Sequence, residues 1–246
     1  PTMNRWRLAR DGAGFAPAAI SPYIISGGGF LLSTRSQALN GYSVDNEGGV
    51  LALNPNYLGS PAGAVDTVGT LTVARHSRLY VGRKTAGTPE TLVITNLVRS
   101  GNAVLEICNA TAGQLGGDEK IKLVNASSLV RGKIVAPYLI ATGTAATDAS
   151  VRRYDFLVQS ESLGLGTNLT YDATWGNGNI VTGGVLAVSG TVNVDSLRLD
   201  GGNITNGATS CTINLGILPD GSRAAQAGIL NSYSSYGNTI NPAVNV

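Results

Sequence analysis

The chain has 246 residues, enough to bury a substantial core as one or two domains. Charged residues make up 13%, about half the roughly 25% of ordinary soluble domains, while the hydrophobic share is 43%; the polar surface must therefore come largely from Thr, Ser, Asn and Gly, as in extracellular β proteins. A formal net charge of +2 without a long basic run gives no argument for a nucleic-acid partner, and no apolar run approaches the ~18 residues of a membrane-spanning helix.

Residues 1–29 hold three prolines, a glycine triplet and no sustained period, and are expected to form an N-terminal arm or cap. Its nearest approach to a basic cluster is Arg5, Arg7 and Arg10 around Trp6, read as a solvated or inter-subunit surface rather than a phosphate site. The chain opens on Pro1 without a signal peptide, which suits a processed product or part of a longer protein.

From Phe30 a β pattern begins: FLLS, a turn through 37–42, then GGVLALN, followed by proline-marked loops at 54–56 and 59–61. In GTLTVARHSRLYVG, Leu71 and Val73 alternate with Thr72, and Leu79 and Val81 flank Tyr80. Further strands are expected in TLVITNLV (91–98), AVLEIC (103–108), KIKLVN (120–125), GKIVAPYLI (132–140), RYDFLVQS (153–160) and NLTYDAT (168–174). The run ATGTAATDAS from 141 reads as a polar, mobile loop.

The stretch 179–205 repeats the earlier plan. Val192 and Val194 share one face with Asn193 opposite, Leu197 and Leu199 share the next with Arg198 pointing away, and Asp195-Ser196 is a two-residue corner. GTVNVDSLRLDGG thus echoes GTLTVARHSRLYVG with a shorter corner, and GGVLAL at 48–53 recurs as GGVLAV at 183–188, though no fixed period joins the echoes. CTINLGIL follows; SRAAQAGILNSY is either one helical turn or a last rung, and NTINPAVNV is an extended end able to pair with a neighbouring edge.

No window of ~12 residues shows a capped helical period. Strands of three to six residues between Gly, Asn, Ser and Asp corners favour an all-β, right-handed parallel β-helix or β-solenoid over a sandwich or barrel, as one domain from 30 to 246. At ~20–25 residues per coil the chain would make about ten coils, a rod on the order of 50 Å long.

Candidate chemistry is sparse. His76 is the single histidine, flanked by Arg75 and Arg78 in a strand corner, and no nucleophile motif accompanies it. Asp118-Glu119 reads as a solvent-facing pair, while Asp155, Asp172, Asp195 and Asp200 sit in turn-like or strand-edge contexts where they bond nearby backbone. Cys108 and Cys211 are either a disulfide or two separate core thiols. Asn109, Asn125, Asn168 and Asn203 open glycosylation-type triplets. No catalytic, cofactor-binding or metal-binding set emerges, so the chain is read as a non-enzyme without cofactors.

The segments GTLTVARHSRLYVG, LVRSGNAVLEI, LGGDEKIKLVNASSLVRGKIVAP, RYDFL and GTVNVDSLRLDGGNI resemble the autotransporter-associated β-strand repeat proteins over about residues 45–230. The family's Asn-Thr-Tyr-Thr-Gly type repeat and its C-terminal membrane barrel are not evident. The resemblance implies an exported, non-enzymatic β-helical surface protein. The expected function is therefore an extracellular structural β-solenoid that assembles with copies of itself into a filament, sheath or surface layer. The alternatives are a carbohydrate-binding or carbohydrate-cleaving spike and an adhesin passenger, with surface glycans as partners.

Overall fold

A computed structural model describes residues 5–8, 22–33, 38–39, 41–53, 62–109, 115–131, 134–145, 148–160, 164–166, 179–182, 185–218, 220–224, 226–231 and 239–245. The chain forms two compact units, Pro1–Ser128 with Gln159–Gly166, and Leu129–Val158 with Thr167–Val246.

The first unit contains β1 (Arg5–Leu8), β2 (Tyr23–Ile25), β3 (Phe30–Ser33), β4 (Val44–Glu47), β5 (Val50–Leu53), β6 (Val65–Ala74), β7 (His76–Val81), β8 (Glu90–Arg99), β9 (Val104–Asn109) and β10 (Glu119–Leu123). The odd-numbered strands lie side by side in one sheet, β1-β3-β5-β7-β9, and the even-numbered ones in another, β2-β4-β6-β8-β10. Every one of these pairings is parallel. A parallel neighbour needs a crossover, and here the next strand of the opposite sheet supplies it in place of a helix. In the first sheet the aligned residues Arg5, Phe30, Val50, Arg78 and Glu106 are 25, 20, 28 and 28 positions apart. That spacing is wider and less regular than the 20–25 read from the sequence.

This register stacks like on like. Leu31, Leu51, Leu79 and Ile107 form one buried row, and Val44, Leu71 and Leu97 another. The alternation legible in GTLTV thus places Leu71 and Val73 inside and leaves Thr70 and Thr72 on the partly covered face. Gly69 interrupts β6 for a steric reason: a Cβ there would fall on the carbonyl oxygen of Gly41. Arg75 makes the corner between β6 and β7 alone, in the left-handed region at φ 58.

The chain continues through α1 (Ala126–Leu129), β11 (Val130–Arg131), β12 (Ile134–Val135), β13 (Leu139–Ala145), β14 (Asp148–Phe156), β15 (Val158–Ser160) and β16 (Gly164–Gly166). β11 pairs with β12, and β13 with β14, both antiparallel. The expected polar loop from 141 is therefore largely hairpin, with a register irregularity between Thr144 and Ala145. Then follow β17 (Asn179–Thr182), β18 (Val185–Val194), β19 (Ser196–Leu199), β20 (Asn203–Leu215), β21 (Gly228–Asn231) and β22 (Ala243–Asn245). They repeat the alternation: β17-β19-β21 form one parallel sheet and β18-β20-β22 another. Val188, Val194, Leu197, Leu199, Ile204, Cys211, Ile213 and Leu215 make the core of this stack.

The all-β expectation holds, with parallel sheets and, among the described residues, a single four-residue helix. Several finer expectations do not. Within the stretch read as an arm or cap, residues 5–8 and 23–25 are strands paired in parallel with 30–33 and 44–46. In place of about ten continuous coils, the described residues form five strand pairs in the first unit's sheets and three in the second's. Asp195 alone separates β18 from β19, so both echoing corners are one residue long rather than of two lengths. The other echo is not structural: Val50–Leu53 is a short, largely covered strand, whereas Val185 opens a ten-residue strand and is 73% exposed. Gly228–Asn231 resolves the helix-or-rung choice as a strand.

Candidate functional site

Several buried polar side chains of the first unit are bonded to its own backbone. Asp66, inside β6, accepts from Leu39 N–H at 3.0 Å, from Thr67 N–H at 2.8 Å and from the Ser33 hydroxyl. Glu90 accepts from the N–H groups of Gly63 and Ala64. Asn46 Oδ1 accepts from Gly49 N–H at 2.8 Å, and Ser77 Oγ accepts from Gly48 N–H at 3.1 Å while lying 2.8 Å from the carbonyls of Asn46 and Ala74. Each side chain ties one turn of chain to the next. A buried carboxylate held by fixed amide donors acts as a staple between chain segments.

Among the described residues, ion-paired clusters join residues far apart in sequence. His76 Nε2 and Arg78 Nε both lie 2.9 Å from Glu106 Oε2, with Glu106 buried and the two basic side chains exposed. His76 thus sits in the expected corner, at the start of β7, but is tied to a carboxylate on β9. Arg198 Nη1 is 3.2 Å from Asp155 and its Nη2 is 3.5 Å from Asp200. Only 12% of the Arg198 side chain is exposed, so the residue read as pointing away is mostly enclosed by these acids.

Asp118 and Glu119, read as a solvent-facing pair, are both engaged in the fold. Glu119 is fully buried, and Asp118 accepts from Arg83 Nη1 at 2.6 Å and Gly87 N–H at 3.0 Å. The Gly87 N–H bond first, then the Arg83 hydrogen bond, holds the Asp118 carboxyl below its ordinary 3.8. A depressed carboxyl contributes stability above the unfolded value and loses it as pH falls through the folded value. The Gly87 amide proton should therefore shift in acid with a midpoint below 3.8, in an NMR titration, and Asp118→Ala should abolish the shift.

Cys108 and Cys211, read as either a disulfide or two separate thiols, are not bonded to each other. Cys211 Sγ is engaged locally, donating toward the carbonyls of Val188 at 3.0 Å and Ala208 at 3.2 Å. Cys108 stands opposite Tyr80 in the β7–β9 ladder. Arg5, Trp6 and Arg7 lie on β1, while Arg10, Asp172 and Asn168 fall outside the described residues. Asn125 bonds Asn96 and the Leu97 backbone, and Asn203 accepts from Thr239 N–H, so both serve local structure. Among the described residues no group of three metal-ligating side chains gathers, and no helix is long and apolar enough to cross a membrane.

The arrangement with the most to offer a partner is on the second unit, across β18, β20 and β22. Their register aligns Thr191-Val192-Asn193 with Thr212-Ile213-Asn214 and Ala243-Val244-Asn245. The three asparagines form a ladder: Asn214 Nδ2 donates to Asn193 Oδ1 at 2.9 Å, and Asn245 Nδ2 donates to Asn214 Oδ1 at 3.1 Å. Asn193 was legible as an outward residue, but the ladder was not; the thrice-repeated β-branched-or-alanine, aliphatic, Asn triplet was its signal.

Compared with known proteins, the chain matches no family model, and neither curated proteins nor solved structures show significant similarity to it.

Proposed function

We propose that this chain is an exported structural protein whose two parallel stacks are turns of right-handed β-solenoid and that it assembles with copies of itself into a filament, sheath or surface layer. The observation carrying this reading is the alternation of successive strands between two parallel sheets, in which, among the described residues, the terminal strands pair on one side only. The low charge supports it, because few Lys or Glu are present to repel an approaching edge. The polar interior supports it too: Asp66, Glu90, Asn46 and Ser77 are spent on backbone, which suits scaffold rather than catalysis. The resemblance to autotransporter-associated repeats fits the same role. Light scattering over a range of concentrations, with electron microscopy of the same samples, should show growth in mass and regular assemblies. A single monomeric mass at all concentrations, with no filament or lattice, would refute the proposal.

A further inference from the structure

We infer that the outer edge of β22 in one copy docks, parallel and in register, on the outer edge of β18 in a second copy. This rests on the self-assembly reading above and specifies its contact. Three features of the second unit point to it.

The first is the polarity of the asparagine ladder. Each amide donates in the same direction along the sheet, so the ladder ends in an acceptor, Asn245 Oδ1, on β22 and in a donor, Asn193 Nδ2, on β18. Among the described residues neither end group has a further hydrogen-bond partner. A head-to-tail copy brings donor to acceptor at the strand spacing already present, whereas two β22 edges meeting would bring acceptor to acceptor.

The second is the gradient of burial across the sheet. On the central strand β20, Ile204 and Ile213 are 0% exposed. Their ladder neighbours on either side, Leu186 and Val192 toward β18, and Ile240 and Val244 toward β22, pack on the same core yet remain only partly covered. Both ends of the apolar stack are therefore incompletely covered, and each offers the other the aliphatic layer it lacks.

The third is the make-up of the two strands, which among the described residues carry no edge protection of their own. β18 reads VLAVSGTVNV and β22 reads AVN, with no charge or proline in either. Val185 is 73% exposed, and Ser189, Gly190 and Thr191 are exposed as well. Isolated edges ordinarily carry lysine, proline or a bulge against pairing. Here only the register irregularity between Val188 and Gly190 interrupts the ladder, and it leaves Thr191–Val194 regular.

The test uses the register. In the docked pair Ala243 of one copy stands beside Thr191 of the next, within the ~4.4–6.8 Å Cα separation a disulfide spans. Within one chain β20 lies between them, so their separation is about two strand spacings, roughly 9.6 Å. Full-length Thr191→Cys and Ala243→Cys chains are mixed, oxidised and run without reductant, with each variant alone and the parent chain, which keeps Cys108 and Cys211, as background. The mixture should give a dimer at least about tenfold above background, and a chain carrying both substitutions should give a series of multimers. Asn245→Lys should raise the concentration needed for assembly by about tenfold or more in light scattering. If the parent chain assembles but the mixture cross-links no more than background, the edge assignment is overturned and self-assembly stands. If the parent stays monomeric and nothing cross-links, both fall.

Discussion

Ile213→Ala should cost the second unit about 3–4 kcal/mol of unfolding free energy, measured as a lower urea midpoint at unchanged slope. Ile213 is fully buried on the middle strand of its sheet, between Val192 and Val244 in the ladder, so the truncated side chain leaves a void bounded above and below by strands whose register is fixed. Isoleucine-to-alanine changes in cores cost roughly 2–5 kcal/mol, and the upper part of that range applies where neighbours cannot collapse into the space. Val244→Ala should cost less, on the order of 1 kcal/mol, because Val244 sits on the edge strand and is only partly buried. Equal losses at the two sites would contradict the burial gradient on which the docking inference depends.

Arg198→Ala should cost about 3 kcal/mol, by the same measurement. The guanidinium is enclosed with Asp155 and Asp200, whose side chains are 19% and 22% exposed, so its removal takes a counter-charge away from two mostly enclosed carboxylates. Breaking a mostly buried ion pair from one side typically costs 3–5 kcal/mol, and the residual solvent contact places this one at the low end. Much of that loss is the penalty on the abandoned acids. Combining Arg198→Met with Asp155→Leu should therefore recover a good part of it, with a coupling energy above about 1 kcal/mol in a double-mutant cycle. Strict additivity would show that the cluster contributes only through its separate contacts.

The alternating aliphatics of GTLTV and DSLRL gave away their faces, because a two-residue period assigns Leu71, Val73, Leu197 and Leu199 to one side whatever lies opposite. What lies opposite was not legible. Glu106 meets His76 from 30 positions away, Asp155 meets Arg198 from 43, and Asn245 meets Asn214 from 31. Those separations follow the lengths of the connecting turns, which vary from 20 to 28 positions in one sheet alone, so no constant offset exists to search for. The hairpin of β13 and β14 stayed hidden for another reason: ATGTAATDAS is small and polar, with no apolar alternation to mark a strand. The N-terminal strands were missed because β1 is four residues long and β2 three, too short to establish a period amid prolines.

The unequal hold on the two sides of β20 bears on how this protein would respond to force. β18 is zipped to β20 over nine aligned residues, whereas β22 is held by three. Tension applied across the strands would load the backbone bonds one after another, and β22 would peel first, like the last tooth of a zipper. Tension along the strands would load those bonds together as a shear. A neighbour seated on β22 would turn this weakest tooth into an interior one, so an assembled array would yield at a higher load than its separate subunits, which single-molecule pulling on free and assembled protein can measure.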